Sequence, residues 1–209
     1  MARLKIGNVF PPVAYLLKHC APAGYGLGGD GRSISDFDSI DFNGFFVAAG
    51  DVLNAPPFGN GTYTYGWGFA STRYREFVEV TYYPSLSVAM RCRRRKSGGV
   101  WGEWEFENPP MTEGVEYRTT ERYKEKPVYV CLVNAGAFQE TGLKNFKTSI
   151  EATGIVRFSA ASGYYSLPLA GKMEINTFHE NGKIVIQMET AGERIFTSDV
   201  YVTLYYTKN

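Results

Sequence analysis

The chain has 209 residues, 44% hydrophobic and 15% aromatic, with 23 glycines and 10 prolines, enough to bury a sizeable core as one large or two small domains. Its 15 tyrosines and 14 phenylalanines suit pleated, half-buried surfaces, so the composition points to an all-β fold with many turns. The net charge is +1 and evenly spread, 11 Lys/Arg against 10 Asp/Glu up to Met111 and 11 against 11 beyond, which argues against a chain built to grip a nucleic-acid backbone.

Three cysteines, Cys20, Cys92 and Cys131, form no CxxC pair, and their odd number and wide spacing fit reduced, half-buried thiols better than a disulfide framework or zinc site. The N-terminus MARLKIGNVF has no apolar core of signal-peptide length, and no run approaches the ~20 residues of a membrane span. Synthesis in the cytosol without export by a signal peptide, and no insertion into a membrane, are the expectations.

In chain order, one short helix is predicted at PPVAYLLKHC (11–20), where Val13, Leu16 and Leu17 share a face and Pro12 sits where a missing N–H costs little. The glycines of APAGYGLGGDG end it, and loop is expected to about Asp41. FNGFFVAAGDV then reads as a strand and NAPPFGNG (54–61) as turn chemistry. TYTYGWGFAST alternates Tyr63, Tyr65, Trp67 and Phe69 with small residues, a period of two that reads as an aromatic core face. REFVEVTYY is a strand of uncertain register. LSVAMRCRRRKSGG sets Leu86, Val88, Met90 and Cys92 on one face and Arg91, Arg93 and Arg95 on the other. VWGEWEF follows the Ser97-Gly98-Gly99 turn and is expected to close a meander of hairpins.

Pro109-Pro110 reads as a stiff linker, because proline cannot sit in a central strand and forces its predecessor into extended geometry. Beyond it VEYRTTERY, KPVYVCLVN, GIVRFSA, YYSLPL, KMEINTF, KIVIQMET and SDVYVTLYYT are candidate strands, and Asn181-Gly182 is a strong hairpin signal. In the last strand Val202, Leu204 and Tyr206 face one way and Tyr201, Thr203 and Tyr205 the other. Six to eight short strands in about 95 residues make a sandwich or jelly roll. The expected organisation is a helix and glycine-rich connector (1–40), a first small β domain (41–108), the proline hinge (109–113) and a second β domain (114–209).

Little in the sequence carries chemistry. His19 and His179 have no partner at metal spacing, and no catalytic or phosphate-binding motif stands in a suitable context. The acidic DFDSID (36–41) lacks the glycine and closing Glu of a calcium loop. Glu116, Glu121 and Glu125 lie among Arg118, Arg122, Lys124 and Lys126, where ion pairing accounts for them. The expectation is therefore no enzyme, no cofactor and no metal. Arg91–Lys96 (RCRRRK) reads either as a patch for an anionic polymer or as charge that deters edge-to-edge strand pairing, with Glu103, Glu105 and Glu107 placed to neutralise it.

NAPP, then VAMRCRRRKSGGVWGEWEF, resembles the end of the knob domain of pyocin and phage tail fibres, where a turn like SGGVW leads into a Trp-x-x-Trp strand that closes the module. YLLKHCAPAGYGLGG and NPPMTEGVEYRTTERYKEKPVYVCLVNAGAF resemble joints of tail-fibre and receptor-binding proteins from tailed phages and prophages of Gram-positive bacteria. The likeness runs over residues 12–138 and departs from the family's pattern at Gly136-Ala137-Phe138-Gln139-Glu140. It implies a knob-like module followed by a receptor-binding head, trimeric assembly with itself, neighbouring tail or baseplate proteins, and a place in the virion tail. The implied activity is non-catalytic adhesion to a host cell-surface glycan; a tail-associated glycan depolymerase or a purely structural tail component are the alternatives.

A glycan site should combine aromatic rings with short polar side chains on loops held by a rigid sheet. In the second domain Tyr164 and Tyr165, after Gly163, and the turn residues His179, Glu180 and Asn181 meet that description.

Overall fold

A computed structural model of the chain describes residues 31–58, 65–85, 90–138, 142–162, 165–167, 173–190 and 196–209. The helix expected at 11–20 lies outside these residues. The fold is all-β, and the chain divides into two compact units, Met1–Trp104 and Glu105–Asn209.

The first unit contains β1 (Arg32–Asp36), β2 (Gly44–Leu53), β3 (Gly66–Tyr74), β4 (Phe77–Pro84), β5 (Arg91–Ser97) and β6 (Val100–Trp101). β1 runs parallel to β2, and the following neighbours are antiparallel. The stretch expected as loop up to Asp41 thus contains a strand and a 3₁₀ turn, Phe37–Ser39, capped by Asp36, whose carboxylate accepts from the Asp38 N–H at 2.8 Å. RSISD offers only Ile34 as an apolar residue, so pairing with β2 and not a sequence pattern makes it a strand.

The inner face of this sheet carries Phe46, Ala48, Ala70, Val78, Val80, Tyr82 and Cys92, all buried. Phe37 packs edge-on against Phe46, Tyr82 and Trp104, with ring centroids 5.9, 5.0 and 5.1 Å apart. Each buried ring of this kind contributes about 2 kcal/mol of burial energy, and the edge-to-face arrangement adds to it.

On β3 the faces are the reverse of the sequence expectation. Gly66, Gly68 and Ala70 point inward, and Tyr65, Trp67 and Phe69 point out. The reason is space. A Cβ at Gly68 would meet the Phe46 ring at 2.2 Å, and one at Gly66 would meet the Tyr82 hydroxyl at 2.6 Å. Rings from β2 and β4 fill the room that β3 side chains would need.

VWGEWEF is not one strand: β6 ends at Trp101 and the next strand starts at Glu105. Both indoles of the bend find backbone acceptors, Trp101 Nε1–H on the Asp38 carbonyl at 3.1 Å and Trp104 Nε1–H on the Asn54 carbonyl at 2.9 Å.

The second unit contains β7 (Glu105–Glu107), β8 (Glu116–Tyr123), β9 (Lys126–Phe138), β10 (Gly142–Glu151), β11 (Gly154–Ser162), β12 (Tyr165–Leu167), β13 (Met173–Glu180), β14 (Lys183–Thr190) and β15 (Phe196–Thr207). One sheet runs β8-β9-β15-β11-β12, with β7 parallel beside β8, and the other runs β10-β14-β13. A core of Cys131, Ala160, Ile175, Ile184, Ile186, Met188, Val200, Val202, Leu204 and Tyr206 makes the unit a β-sandwich. The alternation read in the terminal strand holds, since Val202, Leu204 and Tyr206 are fully buried while Tyr201 is exposed. β10 was not legible in the sequence: GLKNFKTSIE is largely polar, and its strand state comes from its pairing with β14.

Candidate functional site

The residues singled out from the sequence do not form one cluster. Tyr164 lies outside the described residues. Tyr165 opens β12, and its side chain lies outside the described part as well. His179 and Glu180 end β13 and are exposed, and Glu180 forms an ion pair with Lys147 at 2.5 Å. Asn181 and Gly182 form the two-residue turn to β14, with φ of +53° and +79°, the left-handed pair a type I′ hairpin requires. Asn181 and Gly182 also line an open recess of about 410 Å³, together with Glu151, Ala152, Thr153, Lys208 and Asn209. Its lining includes five polar side chains and no aromatic ring, so it offers hydrogen bonds to a sugar but no stacking surface.

Stacking surface lies instead in the first unit, on the outer face of β2–β4. Tyr65, Trp67 and Phe69 are 51%, 50% and 42% exposed, and Val47 beside Trp67 is 37% exposed. Trp67 stacks on Tyr83 of β4 with centroids 4.4 Å apart and planes 20° apart, and Phe45 meets Phe69 edge-on at 5.6 Å. Trp67 and Phe69 stand on a strand paired on both sides, and Tyr65 just before it is tied by its carbonyl to the Ser85 N–H at 2.8 Å, so the ladder holds the row. With the rings outward, the glycines and the alanine at the alternate positions of GWGFA face the interior.

The basic run on β5 borders this face, and two of its arginines pair with carboxylates of β4 and the 3₁₀ turn. Arg94 turns inward with Cys92, where it is bound to the Asp38 carboxylate at 2.5 Å, donates from Nε to the Gly102 carbonyl at 2.7 Å and lies over the rings of Trp101 and Trp104. Arg95 pairs with Glu79 at 3.1 Å across the β4–β5 ladder. Glu105 serves Arg118 and Arg122 in the second unit. Arg93, in register with Thr81, makes no ion pair among the described residues.

The three glutamates Glu116, Glu121 and Glu125 differ in role. Glu116 accepts from the Tyr206 hydroxyl and from Lys208 at 2.5 Å. Glu121 takes both guanidinium nitrogens of Arg157 at 2.8 Å, which hold its carboxyl below the usual carboxylate range, while Arg157 covers the Tyr205 ring at 3.8 Å. Glu125 sits at the exposed β8–β9 turn with φ of +66°. Among the described residues, no group of three or more His, Cys, Asp or Glu is placed to hold a metal ion.

No family model matches the chain, and no curated protein matches it. Among solved structures it aligns with the R1 pyocin fibre of P. aeruginosa comprising C-terminal residues 323–701, at 10% identity and TM-score 0.30, over 88% of this chain and 68% of that one. It also aligns with an N-truncated R2-type pyocin tail fibre at 8% identity and TM-score 0.32, over 90% of this chain and 99% of that one. TM-scores of this size do not establish a common fold, so the functional reading rests on the residues and their geometry.

Proposed function

We propose that the chain is a tail-tip adhesin that binds host cell-surface carbohydrate without cleaving it. The observation that carries this is the row Tyr65–Trp67–Phe69, three half-exposed rings, of which Trp67 and Phe69 stand on a strand paired on both sides and Tyr65 directly precedes it. Sugar rings present C–H faces that pack against such rings, and a pre-ordered row receives them without a further entropy cost of ordering loops. The resemblance of residues 12–138 to tail-fibre joints supplies the biological setting, a virion tail with other tail or baseplate proteins as neighbours. Glu116 bound to Tyr206 and Lys208, and Glu121 bound to Arg157, have structural partners that account for them without a catalytic role. The recess at Asn181 is a separate candidate contact on the second unit, taken by itself.

Incubation with purified cell-wall polysaccharide tests the reading. Retention of intact polymer supports the adhesin, shortened polymer makes it a depolymerase, and neither leaves a structural tail component. The assembly belonging to this reading is a homotrimer that uses the outward face of β15 at Tyr201, and light scattering showing a 23.3 kDa monomer at micromolar concentration would overturn that part.

A further inference from the structure

We infer that the ligand of the aromatic face is an anionic glycan, a sugar polymer bearing phosphate or carboxylate groups, and that Arg93 reads its charge. The inference rests on the adhesin reading and adds the chemical class of the ligand. The ladder places Phe45, Phe69, Thr81 and Arg93 in one line across β2, β3, β4 and β5. Strands lie about 4.8 Å apart, so the Arg93 backbone is about 10 Å from that of Phe69, with the Thr81 hydroxyl residue between them. A sugar stacked on Phe69 and Trp67 therefore extends toward a hydroxyl and then a guanidinium.

Charge complementarity decides the sign. Arg94 and Arg95 are each answered by a carboxylate, from Asp38 and Glu79. Arg93 is half-buried, has no ion pair among the described residues, and its Nε has no hydrogen-bond partner. Holding a guanidinium partly out of water with no counter-charge is unfavourable, and an arriving anion removes that cost with a planar, two-pronged contact that neutral sugars cannot make.

The test measures binding of the full chain to three immobilised polysaccharides, one phosphate-bearing, one rich in uronic acid and one neutral, at low and at 0.5 M salt. Arg93→Gln should weaken retention on the charged polymers about tenfold, leave any neutral binding unchanged, and mimic the effect of salt. Arg95→Gln, whose partner is already Glu79, should do much less. Which charged polymer is retained identifies the anionic group. Arg93→Lys keeps the charge and serves if the Gln variant melts early; its binding should fall between wild type and Gln. If Trp67→Ala abolishes retention while Arg93→Gln and Arg93→Lys do not alter it, the anionic class is wrong and the adhesin reading stands. If wild type is retained on none of the polymers and Trp67→Ala changes only its oligomeric state, the face is a contact between copies and both readings fall.

Discussion

Gly68 lies against the ring of Phe46 so closely that a Cβ on Gly68 would stand 2.2 Å from Phe46 Cζ and 2.5 Å from the Thr81 carbonyl oxygen. This contact decides which way β3 faces, because the interior has room for the ring or for a β3 side chain but not both. Gly68→Ala should therefore destabilise the first unit by about 2 kcal/mol or more, through overpacking against a backbone atom that cannot move aside. Thermal melting checks it. Phe46→Leu in the Gly68→Ala background should recover part of the loss, since the shorter side chain vacates the site.

Trp67 separates folding from binding. Its ring is half-exposed and its main neighbour is Tyr83, stacked at 4.4 Å. Trp67→Ala should cost about 1 kcal/mol of stability and reduce retention on host cells roughly tenfold or more, as loss of a central aromatic anchor does. A large drop in melting temperature would show instead that the ring is structural.

The thiols of Cys92 and Cys131 are predicted to be inert. Burial pushes Cys131 up to about 11 from an ordinary 9.0, with the nearby Glu116 charge adding to it, and burial raises Cys92 further. At pH 8 both should resist a thiol reagent until denaturant is added, since only the thiolate reacts. The same shifts set a pH dependence. The unfolded chain releases these protons from about pH 9, before the folded chain does, so their contribution is complete below that point and lost as pH rises toward 11. Urea midpoints should fall over that interval.

The β13–β14 turn gives a further check. Gly182 has φ of +79° and nothing near its Cβ position, so Gly182→Ala meets no clash and suffers only backbone strain. A loss of about 1 kcal/mol is expected. Retention on polysaccharide should fall only if the recess beside Asn181 contacts the ligand.

Much of the fold was legible in the sequence because strand alternation and turn chemistry are local. Asn181-Gly182 needs positive φ at two successive positions, and the hairpin forms where those residues stand. Val202, Leu204 and Tyr206 alternate with Tyr201, Thr203 and Tyr205, and the buried set is the more apolar one. The all-β class follows from the same patterns. RSISD and GLKNFKTSIE carry no such pattern; they are strands only because β2 and β14 offer partners.

The aromatic face belongs to what only tertiary structure decided. The residues of TYTYGWGFA fix the alternation of large and small side chains, but a period of two is symmetric and does not say which set faces inward. Hydrophobicity alone favours burying the rings. Phe46 and Tyr82, 22 and 14 residues away from Gly68, overrule it by occupying the interior. In the same way RCRRRK determines where positive charge stands along the chain, yet Asp38 and Glu79 decide which arginines are answered. Those partners come from distant segments brought near by the ladder, and distance along the chain hides them from any local pattern.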